Sequence, residues 1–223
     1  MKENLLGLDA AALQRFFLEQ GEKPFRARQV MRWIHQSGEA DFARMSDLAK
    51  ATREKLAATA CVEAPRVIGD TVAADGTRKW LVKVDGANAV ESVFIPETGR
   101  ATLCVSSQAG CVLDCSFCAT GKQGFNRNLT TAEIIGQLWV ANREFGNPSR
   151  AQRVISNVVF MGMGEPFANY RAVRRAVTAL NAPWGLGLGA RLRAGQHEQD
   201  GDEQDGRHRA LHERQLSMAP TRP

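Results

Sequence analysis

Three cysteines fall within eight residues, Cys111-Val-Leu-Asp-Cys115-Ser-Phe-Cys118, in a C-x3-C-x2-C arrangement. Thiolates are soft ligands, suited to zinc or to iron–sulfur clusters. A structural zinc site takes four ligands, normally as two separated pairs, whereas here three crowd one segment. Three thiolates can instead hold three irons of a [4Fe–4S] cube and leave the fourth iron open to a substrate or cofactor. Spacing alone leaves three readings: a cluster with an open iron, a zinc site completed by Cys104, or uncoordinated thiols. Cys61 matches no motif, and a structural role is expected for it.

Such a segment must be positioned by the elements around it. From about residue 100 the pattern is strand, loop, helix. Thr130 and Glu133 form a capping box before a helix carrying Ile134, Ile135, Leu138 and Trp139, which Gly146, Asn147 and Pro148 stop. The run Val154 to Phe160 reads as a strand buried on both faces of a parallel sheet. The glycine-rich stretch Gly162-Met-Gly-Glu-Pro166 ends it, and Tyr170 to Leu180 reads as the next helix. Upstream, Arg66–Val72, the turn at Asp75-Gly76, and Arg78–Val84 read as strand, turn, strand. Val90–Ile95 and Ala101–Val105 add two more strands of a small antiparallel sheet.

The first sixty residues are helical in period. Asp9 caps a helix with Leu13, Phe16 and Phe17 on one face and Gly21 as its stop. A second helix follows Pro24, with Val30, Trp33 and Ile34 at i, i+3 and i+4, and ends near Gly38. Ser46 is expected to cap a third, with Leu48, Ala49 and Leu56 facing inward. The outer faces carry Arg26, Arg28, Arg32, Arg44, Lys50, Arg53 and Lys55. That is either an ordinary solvated surface or a face that docks RNA.

The whole chain has 223 residues and a formal net charge of +5, compatible with a nucleic-acid partner but not demanding one. Its 43% hydrophobic and 24% charged residues exclude wholesale disorder. No run approaches the ~20 apolar residues of a membrane helix, and Met1-Lys2-Glu3-Asn4 opens no secretory signal, so a cytoplasmic protein is expected. Thiols there stay reduced, which disfavours a disulfide framework. Residues 181–223 contain no Val, Ile, Phe or Tyr yet hold three of the four histidines, and a disordered or non-native tail is expected there.

The cysteine triplet with Phe117 before its last member resembles the radical S-adenosylmethionine superfamily. More closely, Cys104-Val-Ser-Ser-Gln-Ala-Gly-Cys111, the triplet, Gly124-Phe-Asn-Arg-Asn-Leu129, Gly162-Met-Gly-Glu-Pro166 and Val90-Glu-Ser-Val93 together resemble the RlmN/Cfr family of RNA adenine-C2 methyltransferases, over residues 1 to about 180. The resemblance implies an α/β protein: a helical RNA-docking domain (1–62), an antiparallel strand segment (63–99), the first part of a radical-SAM partial (β/α) barrel (100–180), and the tail (181–223).

It also implies chemistry. Cys111, Cys115 and Cys118 would hold a [4Fe–4S] cluster whose open iron chelates S-adenosylmethionine, and Gly164 and Glu165 would lie in the cofactor-binding loop. One cofactor molecule methylates a cysteine near the C-terminus, and the 5′-deoxyadenosyl radical from a second removes hydrogen from that methyl group. Carbon then adds to C2 of adenine, Cys104 resolves the protein–RNA adduct, and Glu91 is the proton acceptor. Implied partners are 23S rRNA and tRNA and an electron donor such as flavodoxin, with no membrane and a monomeric chain. The pattern fails late: no cysteine follows Cys118, so the methyl carrier is absent from this sequence. A chain truncated or frame-shifted near residue 180, with impaired activity, is expected. A non-catalytic RNA-binding or zinc-stabilised fragment is the alternative.

Overall fold

The computed structural model describes residues 2–146 and 153–185. The chain starts with a two-residue strand, β1 (Glu3–Asn4), that pairs in parallel with β2 (Ala60–Cys61) and so closes the helical segment between them. Asn4 fastens this closure, its Nδ2 donating to the Glu63 carbonyl at 2.8 Å and its Oδ1 accepting the Glu63 N–H. In α1 (Ala10–Glu19) the Asp9 carboxylate accepts the Ala12 N–H at 2.8 Å, and Leu13, Phe16 and Phe17 are buried. In α2 (Phe25–Gln36) the buried stripe is Ala27, Val30, Met31, Ile34 and His35, with Trp33 only half-buried.

Ser46 does not cap the third helix. α3 (Lys50–Thr59) begins four residues later behind Ala49, which is exposed and offers no side-chain cap. Met45 and Leu48 plunge into the core on the intervening turn, and Asp47 is drawn back to α2 by the indole N–H of Trp33 (2.5 Å). Burying those two side chains outweighs a cap of about 1 kcal/mol.

His35 is 6% exposed and its Nδ1 has no hydrogen-bond partner. Burial pushes its pKa down to about 4, because the charged imidazolium is costly to desolvate. The unfolded chain therefore takes up a proton before the folded one does. Stability from this group is complete above pH ~6.5 and is lost as pH falls towards 4, by about 3 kcal/mol in all. Urea midpoints measured from pH 7 to 4 are expected to fall more steeply for the native chain than for His35→Leu. Equal slopes would remove His35 as the cause.

The central sheet has the order β3-β4-β5-β6-β9. Its antiparallel part comprises β3 (Arg66–Val72), β4 (Arg78–Lys83), β5 (Ala89–Glu97) and β6 (Arg100–Cys104). Period-two alternation is clear in β5, where Val90, Ser92 and Phe94 are buried while Glu91 and Val93 stay half-open. On the buried face Phe145 packs its ring against Trp80 and Phe94, with centroids 6.2 and 4.7 Å away.

After β6 come a short hairpin, β7 (Gln108–Gly110) and β8 (Phe125–Asn128), which encloses the four-residue helix α4 (Ala119–Lys122). Next is α5 (Thr131–Glu144), which starts with the expected capping box: Thr130 Oγ1 accepts the Glu133 N–H and Glu133 Oε2 accepts the Thr130 N–H. Ile134, Ile135, Leu138 and Trp139 are buried, and the Trp139 indole N–H donates to the Ile34 carbonyl, tying α5 to α2. β9 (Asn157–Val159) then lies parallel to β6, and α6 (Tyr170–Asn181) buries Ala176, Ala179 and Leu180.

β9 is shorter and less buried than the apolar run Val154–Phe160 suggests. Three residues pair with β6, all half-buried, because among the described residues β9 is the sheet edge with one neighbour only. Among the described residues the expected parallel architecture is thus represented by one strand–helix–strand unit, β6–α5–β9. No helix among the described residues is long and apolar enough to cross a membrane. The expected tail, apart from residues 181–185, lies outside the described residues, as do Asn147 and Pro148.

Candidate functional site

The parallel pair β6 and β9 ends in register at Cys104 and Val159, and both chains turn into loops there. The loop after β6 leads through β7 to the three cysteines. The loop after β9 carries Gly162-Met-Gly-Glu-Pro166. The two run side by side: the Ser107 and Gln108 N–H groups both donate to the Met163 carbonyl (2.8 and 3.1 Å), and the Gly162 N–H donates to the Val105 carbonyl. Ser106 Oγ accepts the Met163 N–H and donates to the Glu91 carbonyl, adding β5 to the junction.

The cysteine loop is held at its base. Gly110 takes φ +74°, and a Cβ there would stand 1.9 Å from the Gly124 carbonyl oxygen. This close crossing lets the Cys111 N–H donate to Gly124 O at 3.1 Å. Inside the loop the Cys118 N–H donates to the Cys115 carbonyl, and Cys111 Sγ accepts the Leu113 N–H. All three cysteines are half-exposed. The backbone N–H of Gly121, then that of Thr120, pulls the Cys118 thiol pKa below its ordinary value, since both stabilise the thiolate. The sulfurs share a loop without converging: among the described residues no three His, Cys, Asp or Glu side chains are arranged to hold a metal ion. As a donor set, three half-exposed thiols, one with backbone N–H groups aimed at its sulfur, fit a soft metal centre.

Cys104 stands apart, in the sheet. Burial raises its thiol pKa, partly offset by the Met161 N–H. It faces Val93 across the antiparallel pair, which puts it on the same half-open sheet face as Glu91. Glu91 pairs with Lys79, Nζ to Oε1 2.9 Å. Gly164 has φ +93°, and a Cβ there would meet Gln108 Cβ at 2.4 Å. Glu165 Oε1 accepts the Phe167 N–H, so its carboxylate caps the turn leading into α6.

Several large apolar side chains in these loops and at the start of α6 face solvent: Phe117 is 91% exposed, Met161 80%, and Phe167 and Tyr170 are also exposed. Arg171, Arg174 and Arg175 follow on the outer face of α6. On α2, Arg28 and Arg32 are exposed, whereas Arg26 is half-buried and bonded to Gln29.

Buried amides missing from the motif reading turn out to frame the site. Gln137 on α5 holds both backbone groups of Ser106, accepting its N–H at 2.8 Å and donating to its carbonyl at 2.9 Å. Asn169 donates to the carbonyls of Ser107 and Leu129. A glutamine in the apolar stripe Ile134-Ile135-Leu138 is the signal that could have found the first, because a buried amide must be paired.

Known proteins resemble parts of this chain in sequence and fold. Residues 3–62 match the family model described as the ribosomal RNA large subunit methyltransferase N-terminal domain. The crystal structure of a radical SAM methyltransferase from Sphaerobacter thermophilus superposes with a TM-score of 0.75 and 36% sequence identity, over 85% of this chain and 55% of that one. The fold of this chain is thus similar to that of a radical SAM methyltransferase. Both matches support the resemblance to the RlmN/Cfr family that the motifs carry. The chain spans 55% of the length of the solved relative.

Proposed function

We propose that this chain carries the cofactor-binding part of a radical S-adenosylmethionine methyltransferase that acts on C2 of adenine in 23S rRNA and tRNA. The observation that carries the reading is the meeting of the cysteine loop and the Gly162–Pro166 loop at the carboxyl ends of neighbouring parallel strands. Ligands of α/β sheets bind at that edge.

In this reading Cys111, Cys115 and Cys118 hold the [4Fe–4S] cluster. When bound, the cluster supplies an electron for reductive cleavage of S-adenosylmethionine and an open coordination position for its amino and carboxylate groups. Glu165 offers a carboxylate to the cofactor's ammonium group, and Gly164 keeps the backbone free of side chain beside it. Cys104 is the thiol that resolves the adduct; burial keeps it protonated until a base takes the proton. Glu91, on the same sheet face and paired with Lys79, is the proton acceptor. Residues 1–62 dock the RNA through exposed guanidinium groups such as Arg28 and Arg32. An electron donor such as flavodoxin completes the set of partners.

The test is anaerobic reconstitution followed by incubation with reductant, S-adenosylmethionine and an unmodified 23S rRNA fragment. The expected product is 5′-deoxyadenosine, lost in Cys115→Ala. The family scheme also needs a methyl-carrying cysteine, and none follows Cys118, so this chain by itself is expected to yield no 2-methyladenosine in the digested RNA. Cofactor cleavage that survives Cys115→Ala would overturn the assignment of the cysteines. Multiple turnovers of methylated base would overturn the need for a second thiol.

A further inference from the structure

We propose that Gln108 is a positioning residue that couples the cysteine loop to the Gly162–Pro166 loop, so that ordering one orders the other. What the two loops bind rests on the function proposed above; the coupling is a property of the metal-free chain.

Gln108 is 1% exposed, and both polar atoms of its side-chain amide are hydrogen-bonded. Nε2 donates to Asn128 Oδ1 on β8 at 2.8 Å. Oε1 accepts two backbone N–H groups, Glu165 at 3.0 Å and Val112 at 3.3 Å. A carbonyl oxygen has two lone pairs, and here one is spent on each loop. Turning the amide over would point its NH2 group at two N–H donors, so the surrounding network admits a single orientation. The stem matters as well: the Gly164 backbone lies so close that a Cβ would fall 2.4 and 2.6 Å from Gln108 Cβ and Cγ. One buried side chain therefore sets the separation between a loop bearing the thiols and a loop bearing Glu165. By linkage, a ligand that orders either loop raises the affinity of the other for its own ligand.

The test is amide hydrogen exchange on the metal-free chain. Gln108→Met keeps an unbranched stem of similar length and removes all three hydrogen bonds. It is expected to raise exchange at Val112 and Glu165 together, about tenfold or more, while the α5 and β4 amides keep their protection. Gln108→Glu keeps an acceptor oxygen for both N–H groups, and the Asn128 amide can flip to donate to it, so protection at both positions is expected to return. Loss at one amide only, no loss, or a uniform loss throughout the chain would each overturn the coupling. Should Gln108→Met fail to fold, Asn128→Ser removes the anchor while touching neither loop, and must raise exchange at the same two amides; unchanged protection there overturns the proposal. A second arm measures S-adenosylmethionine binding to the iron-loaded protein, expected to weaken in Gln108→Met at unchanged iron content. If the two amides respond together but no cofactor binds even to the native chain, the coupling stands and the proposed function fails.

Discussion

Alanine at any one of Cys111, Cys115 and Cys118 is expected to abolish the broad iron–sulfur absorbance that anaerobic reconstitution gives the native chain. The three thiols share one loop, and the nearest further cysteine, Cys104, is fixed in β6. With one thiol gone, no neighbour can replace it. Cys61→Ala is expected to leave the absorbance unchanged, because Cys61 sits on β2 beside Glu63, where burial and that carboxylate raise its pKa and make it a poorer ligand. Cys104→Ala separates the metal readings. Retained iron and sulfide in that variant is the result expected of a three-cysteine cluster, while loss of the metal would make Cys104 a fourth ligand.

Gly110→Ala is the backbone change with the largest expected effect. An alanine at φ +74° costs about 1–2 kcal/mol, and the Cβ would collide with the Gly124 carbonyl at 1.9 Å. Relief requires opening the hairpin at the base of the cysteine loop and giving up the Cys111 N–H bond to Gly124. A total near 3 kcal/mol is reasonable, roughly a 10 °C fall in Tm for a chain of this size. Gly21→Ala is the control: its φ is +71°, but nothing lies within 4 Å of the added carbon, so about 1 kcal/mol is expected. Calorimetry giving equal losses for the two variants would show that the close approach at Gly110 is not real.

Local chemistry was legible in the sequence wherever a few neighbouring residues decide the outcome. Asp9 and the Thr130–Glu133 box cap their helices as read, and the strand pattern from Arg66 to Val105 matches the antiparallel ladders. Misreadings occurred where distant packing decides. Ser46 has the right residue type for a cap, but burial of Met45 and Leu48 moves the helix start to Lys50. β9 is short because its other edge has no neighbour among the described residues, which no local period can report. β1 and β2 have two residues each and leave no periodic signal; Asn4 and Glu63, 59 residues apart, make that closure. The cysteine spacing pointed to metal chemistry directly. Assigning roles to Glu91, Cys104, Gly164 and Glu165 needed the family resemblance, and the role of Gln108, which lies within the Cys104–Cys111 motif, was not legible because it rests on three contacts from three separate segments.

The claim that the cysteine loop holds a cluster with an open iron is tested most directly by electron paramagnetic resonance of the anaerobically reconstituted, reduced chain, recorded with and without S-adenosylmethionine. The account predicts a reduced-cluster signal whose g-values shift when the cofactor is added, because its amino and carboxylate groups take the vacant coordination position. Stoichiometric zinc with no iron, or a cluster signal indifferent to the cofactor, would contradict it.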